Sequence, residues 1–479
     1  MINAPVRKSK IQRRRETDGI CAMDNLANKH NSIVEGVIWK QLLLFFFPIL
    51  LGTFFQQLYN TVDAAIVGKF VGKEALAAVG GATGTLINLF VGFFVGLSSG
   101  ATVIISQFYG AKQEKPTEDS VHTAVAMGIA GGLLLTVVGM LLAPTMLRMM
   151  DTPDDVLAPA VTYLRIYFAG MVFNLLYNIG SGILRAIGDS RRPLYVLSVC
   201  TLTNLVLDLL FVLVFQMGVA GAGLATILSQ AVSALLVLRF LVRSSECYKL
   251  TIRKIRFHLS ILRHIIKIGL PAGIQSSLFS ISNVLIQSTI NTFGTTTMAA
   301  WTAYGKIDSV FWMLMSAFGI SVTTFVGQNF GCGKIDRVKK SVRISLVMAF
   351  AVTILLSGVL LLAGQYIYLL FTDDGDVLAL GLQILRTLVP FYVTYVMIEI
   401  LSGAIRGTGE SLRPMLISAF GICVLRIVWI KCFVRMHPQL EMVLYSYPIT
   451  WGITSLLFLI YYLRGRWLKK RMYETSLSL

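Results

Sequence analysis

Twelve stretches of about 20 or more mostly apolar residues run through this chain, and charge is scarce inside them. No other feature constrains the fold as tightly. A helix of that length crosses the hydrocarbon core of a bilayer, where backbone N–H and C=O groups must pair within the protein. The spans fall near 41–66, 80–108, 121–146, 157–184, 193–215, 219–242, 264–290, 299–328, 342–370, 378–405, 414–434 and 442–463. Several exceed the minimum, which fits tilted or bent helices. Charged residues make up only 14% of the chain, against about 25% in a soluble protein. The deficit extends along the whole sequence. The expected fold class is therefore an all-α polytopic membrane protein of twelve transmembrane helices.

The net charge of +18 raises the question of nucleic acid. The positions of the 42 Lys and Arg residues answer it. Thirty-three lie in the two tails, in the loops after helices 2, 4, 6, 8 and 10, or within four residues of those loops (Arg239, Lys267 and Arg343). The other five loops hold Lys69, Lys73, Arg148, Lys431 and Arg435. Arg165, Lys306, Arg386 and Arg426 lie within spans or at their ends. This asymmetry is a topology signal, and it predicts both termini in the cytoplasm. No nucleic-acid partner is expected.

The sequence also repeats itself. "LRAIGDSRRP" at 184–193 returns as "IRGTGESLRP" at 405–414. The same shift of 221 residues carries "QFYGAK" (107–112) onto "QNFGCG" (328–333) and "DVLA" (155–158) onto "DVLA" (376–379). Each half holds six helices, an even number, so both face the same way. They are expected to form two six-helix lobes related by a pseudo-twofold axis along the membrane normal, with a cavity between them. The expected division is a basic arm (1–40), an N-lobe (41–242), a basic linker (243–263), a C-lobe (264–463) and a basic tail (464–479). "RKSKIQRRR" opens the arm, but no apolar segment follows until Leu42, so a cleavable signal is not expected. Met23 offers an alternative start.

Soluble chemistry has little support. The six cysteines show no CxxC spacing and no companion histidines, which argues against zinc or a disulfide framework. "GKFVGKE" (68–74) has its glycines too close together for a phosphate loop. The spans hold no HExxH, no GxSxG and no catalytic His/Asp set, so no enzyme and no resident cofactor is expected.

The ionisable residues inside the membrane carry the functional signal, because a carboxylate there costs roughly 2.5–3.5 kcal/mol. In the first half these are Asp63 and Asp208, accompanied by Asn178, Asn204 and Thr226. Asn204 and Asp208 are four apart and share a helix face. Interhelical hydrogen bonding alone would account for Asn and Thr. Two acids in one lobe point further, to a cation or proton site. The second half carries Lys306, Asp308, Glu399 and Arg426. Glu399 stands 221 residues after Asn178, and an ion pair with Arg426 would simply pin helices 10 and 11. Pro48 lies mid-span, with Pro271 its approximate repeat mate, and proline kinks a helix by removing a backbone bond. Gly92, Gly96 and Gly100 make a smooth face for close helix packing.

With Pro48 and Asp63 in helix 1, "Q…G" patterns after helices 2 and 8 (Gln107 and Gly110, Gln328 and Gly331), and paired "RGxGDxxxP"-like turns, residues 35–465 resemble the MATE (multidrug and toxic compound extrusion) transporters. The resemblance implies export of organic cations and other amphiphiles against Na⁺ or H⁺ entry. It is greatest to the bacterial branch that couples through the N-lobe. There, Asp63, Asn178, Asn204, Asp208 and Thr226 would form the cation-coupling cluster. Gln56 and Tyr59 would line the cavity, and Pro48 would bend. Glu399, Arg426 and Asp308 remain second-lobe candidates, since no acid falls in 264–290. A monomer in the bacterial inner membrane is expected, with small, cationic, amphiphilic cargo and transported Na⁺ as the only metal. The alternative within the same superfamily is a flippase for lipid-linked oligosaccharides or other lipids.

Overall fold

The computed structural model describes residues 32–465 and 467–468. The basic arm up to residue 31 (with Met23), residue 466 and the tail from 469 lie outside the described residues. Among the described residues twelve membrane-spanning elements follow one another, counting the bent pair as one: α1 (Ile38–Phe70), α2 (Lys73–Gly110), α3 (Glu114–Met149), α4 (Asp154–Ala169 and Met171–Ala186), α5 (Arg191–Val214) and α6 (Gly218–Arg243) form the N-lobe. Then α7 (Leu259–Asn291), α8 (Thr295–Gly331), α9 (Ile335–Tyr368), α10 (Gly375–Gly407), α11 (Leu412–Val434) and α12 (Leu440–Leu463) form the C-lobe.

The helices overrun the apolar windows. α3 starts at Glu114, seven residues before 121, because "EKPTEDS" continues the helix beyond the apolar stretch with an acid in its first turn. α2 starts at Lys73, and its first segment Lys73–Gly80 is built from the Ala- and Leu-rich "KEALAAVG" before a break at Gly81. α4 is not the single rod of 157–184. Its halves meet at Gly170 with a 49° bend. A Cβ at Gly170 would come within 2.5 Å of the Ile227 side chain, so the bend lets α6 approach closely.

The repeat persists in the backbone. Gly188 (φ +98°) and Gly409 (φ +89°) hold the same left-handed corner of the two matching turns, which favours glycine. A π-helical turn at Leu209–Val214 in α5 returns at Ile430–Val434 in α11. The first directly follows Asp208 and the second directly follows Trp429, so the turn belongs to the fold and not to the acid.

Besides the packing of Phe45 and Phe46 of α1 against Phe325 and Phe318 of α8, two kinds of contact join the lobes. The first is a glycine seam between α2 and α7. A Cβ at Gly96 would lie 2.6 Å from the Cα and N of Gly273, and one at Gly100 would collide with the Ile265 carbonyl. The spacing of four along α2 thus serves backbone-to-backbone packing, as expected. The second is a reciprocal brace at the end where the Lys- and Arg-rich loops gather. Gln107 Nε2 donates to the Gly407 carbonyl at 2.8 Å, and Gln328 Nε2 donates to the Ala186 carbonyl at 2.7 Å. Donors and acceptors are each 221 residues apart. The two carbonyls belong to the C-terminal ends of α10 and α4, where helical partners run out, so each lobe caps a helix of the other.

A short helical turn, Ser32–Glu35, lies across the same end. Arg337 donates to the carbonyls of Ile33 (2.9 Å) and Gly36, and Lys334 to that of Val34 (3.2 Å). The linker is fastened to α3 by Lys254–Glu118 (2.8 Å) and by the Thr251 N–H donating to His122 Nε2 (3.0 Å).

Candidate functional site

α1 brings four of the expected residues to one place. Pro48, Gln56, Tyr59 and Asp63 line a cavity of about 470 Å³ between the N-lobe helices. Asn178 of α4 joins them, and Ser316 and Ile320 of α8 close the C-lobe side. The cavity is therefore mainly an N-lobe feature that faces the inter-lobe space.

Asn204, Asp208 and Thr226 do not line it. They lie behind its wall, 1%, 0% and 1% exposed, on α5 and α6. Tyr59 and Tyr163 stand next to Thr226 and separate it from the cavity. Asp63, at 6% exposed, is the link: it lines the cavity and is close enough to Asp208 for the two charges to interact. The expected cluster is thus two layers, an inner acid behind tyrosines and an outer acid at the cavity.

Its polar atoms are unmet. One oxygen of Asp63, both oxygens of Asp208 and the amide nitrogen of Asn204 have no hydrogen-bond partner. No Lys or Arg pairs with either acid among the described residues. Asn178 is occupied otherwise, donating to the Asn174 carbonyl (2.9 Å) and Asn174 Oδ1 (3.0 Å). Buried carboxylates without partners are strongly unfavourable unless a cation or proton joins them. Among the described residues no three His, Cys, Asp or Glu side chains come together as a metal site. Two acids, an amide and nearby hydroxyls suit a monovalent ion or protons.

Sequence reading missed Tyr163, Tyr167 and Gln230, which also line the cavity. Tyr163 and Tyr167 are four apart, as are Asn174 and Asn178, so a polar face along α4 was the available signal. The bend at Gly170 brings both pairs to the same cavity.

The C-lobe has no matching cavity chemistry. The shift of 221 takes Asp208 to Trp429, Thr226 to Tyr447 and Gln230 to Trp451. Trp451 packs against Tyr392, Tyr395, Tyr447 and Trp312, with ring centroids 5.4–6.4 Å apart. Aromatic rings fill the space that polar groups occupy in the N-lobe. Asp308 is fully engaged there, accepting from Trp312 Nε1 (2.6 Å) and from the hydroxyls of Tyr304 (3.3 Å) and Tyr392. Lys306, two residues away, is exposed.

The Glu399–Arg426 ion pair is not formed. Arg426 lies over the Tyr447 ring, 4.1 Å from its centroid, and donates to Thr450 at 3.3 Å. Glu399 accepts from Tyr395 at 3.4 Å and occupies the gap left by Gly319 on α8. The aromatic belt of α10 and α12 captures both side chains separately, which spacing along the sequence could not reveal.

The MatE family model matches residues 48–210 and 271–430, one block in each lobe. The "Probable multidrug resistance protein YpnP" of Bacillus subtilis is 29% identical over 93% of this chain and 99% of its own length. The "Multidrug export protein MepA" of Staphylococcus aureus is 22% identical over 78% of this chain and 82% of its own. Among solved structures, a MOP superfamily transporter from Pyrococcus furiosus superposes with a TM-score of 0.86 at 23% identity, covering 92% of this chain and 99% of the other. A MATE protein described in a bent conformation gives 0.86 at 24% identity, with the same coverages. At these identities the structures establish the fold.

Proposed function

The chain belongs to the MatE family of multidrug efflux transporters, and on that premise we propose that it is a secondary active antiporter. It exports amphiphilic organic cations in exchange for H⁺ or Na⁺ by alternating access. The observation that carries this reading is the pair Asp63 and Asp208, buried, unpartnered and confined to one lobe. Asp63 meets the cavity and Asp208 lies behind it, so an ion or proton that enters from the cavity is handed from an accessible acid to a sealed one.

The Lys and Arg asymmetry supports a cytoplasmic location for the basic end, with both termini there and the protein in the bacterial inner membrane. On that orientation the brace and the Ser32–Glu35 turn seal the cytoplasmic side. The protein acts as a monomer, since both halves of the two-lobed fold lie in one chain. A flippase for anionic lipid-linked sugars would want a cationic cleft. This cavity is lined by one guanidinium, Arg185, and also by the acid Asp63, and nothing favours that alternative.

Each cation that enters with the potential supplies about 2.3 kcal/mol per 100 mV, enough for a roughly fifty-fold cargo gradient if export itself moves no charge. The test is dye-cation export from proteoliposomes with Na⁺ and H⁺ gradients imposed separately. Asp63→Asn and Asp208→Asn should each retain cargo binding and lose gradient-driven export. Parental export rates in both variants would remove the N-lobe acids from the mechanism.

A further inference from the structure

A second concavity lies on the outside of the same helix, away from the cavity just described. It is an open groove of about 500 Å³ between α1 and α5. Leu43, Leu44, Phe47 and Pro48 form its walls, all from α1. Trp39, Lys40 and Arg191 form its mouth, at the basic end of the molecule. Phe47 is 53% exposed and Trp39 54%, in helices that contact a bilayer. Along α5, Tyr195, Val199, Leu202 and Val206 continue an exposed stripe at helical spacing.

The mouth is electropositive in three ways. Among the described residues the Lys40 ammonium pairs with no carboxylate. Asp189 accepts the backbone N–H groups of Arg191 and Arg192, and its carboxylate pairs with the Arg192 guanidinium at 3.3 Å. Among the described residues that leaves the Arg191 guanidinium with no acid of its own. Lys40 also sits in the first turn of α1, whose N-cap residue Val37 offers no side-chain cap, so the positive end of the helix dipole points the same way. An exposed Trp beside cations at the end of an apolar groove is the arrangement found where lipid headgroups meet a protein.

We propose that this groove is a binding site for one anionic phospholipid, with an acyl chain against Leu43, Leu44, Phe47 and Pro48 and the phosphate between Lys40 and Arg191. Charge selects the occupant. A zwitterionic lipid offers the same chain with no net charge to match the two free cations. Pro48 is shared between this groove and the central cavity. A lipid tail therefore packs against the outer side of the residue where α1 would bend, and its occupancy is linked to the shape of α1.

Trp39 reports on the site directly. The purified full chain is reconstituted with phosphatidylcholine containing small fractions of brominated phosphatidylglycerol or brominated phosphatidylcholine. The Trp39 signal is the difference from Trp39→Phe. Each cation near the surface is worth about five-fold in preference, so quenching should favour the anionic lipid by about ten-fold or more. Lys40→Gln with Arg191→Gln should bring the two lipids to equal quenching. Equal quenching in the parental protein, or a preference unchanged in the double variant, would overturn the site. Excess inorganic phosphate should leave quenching intact. Its relief by phosphate would show that the groove contributes nothing and would overturn the proposal as a lipid site.

Discussion

Removing the reciprocal brace should shift the protein toward a state in which the lobes part at the basic end. Gln107→Met and Gln328→Met keep the side-chain length and remove the amide that caps a helix of the opposite lobe. In the braced state this leaves the Gly407 and Ala186 carbonyls buried and without a partner. An orphaned buried acceptor costs about 1–3 kcal/mol. Once the lobes part at this end, water reaches the same carbonyls and the cost disappears. Only this difference between states shifts the equilibrium. Taking about 1.5 kcal/mol per substitution, each variant should favour the parted state by about ten-fold. The double variant should approach a hundred-fold, less any coupling across the axis. Lys115→Cys and Asp336→Cys, equivalent positions on the two lobes, can carry spin labels in a cysteine-free background. Pulsed dipolar spectroscopy should show a short distance in the parent and a growing long-distance population in each variant. A distribution in the double variant identical to the parent's, with the protein folded, would refute the argument. The brace would then be made equally well in both states.

Other perturbations have simpler readouts. Gly96→Ala forces a methyl group to within 2.6 Å of the Gly273 backbone and should cost about 1–3 kcal/mol, read as a lower melting temperature in detergent. Gly358→Ala on α9 meets nothing within 4 Å and should be neutral or slightly stabilising, by up to about 1 kcal/mol. A loss as large as that of Gly96→Ala would undo the seam reading. Pro48→Ala should give inserted, folded protein with strongly reduced export, whereas parental export would make the kink a static feature. Reporters fused after residue 250 should signal cytoplasm and those after residue 374 the outside, and the opposite result would reverse the orientation.

The sequence revealed most where the physics is local or periodic. Apolar length located the spans, and the step of four along Gly92, Gly96 and Gly100 announced a seam whose partner helix only the fold could show. It failed where tertiary packing decides. Glu399 and Arg426 are separated because aromatic residues of α10 and α12 reach them first, and no spacing rule encodes that capture. The bend at Gly170 was hidden because an apolar window does not register a change of direction. Asp208 was legible as an anomaly of composition, but its position behind Tyr59 and Tyr163 depends on how α4, α5 and α6 pack. Asn178 and Asn204 carry the same residue type and differ in fate. Asn178 finds Asn174 on its own helix, while the Asn204 amide nitrogen finds nothing.

The brace has the form of an isologous interface, in which residue i of one partner meets j of the other and j meets i. Within a single polypeptide this is the contact pattern of a homodimer whose subunits have been fused. The segment between Arg243 and Leu259 then serves as a tether that sets the effective concentration of one half for the other. A true homodimer must repeat every substitution on both sides of its axis. Fusion lifts that requirement, and the difference is visible here: Asp208 faces a counterpart that is Trp429, while Gln107 still faces a counterpart that is Gln328. The parts that close against each other have stayed twins, and the buried acids of one lobe have been free to lose their counterparts in the other.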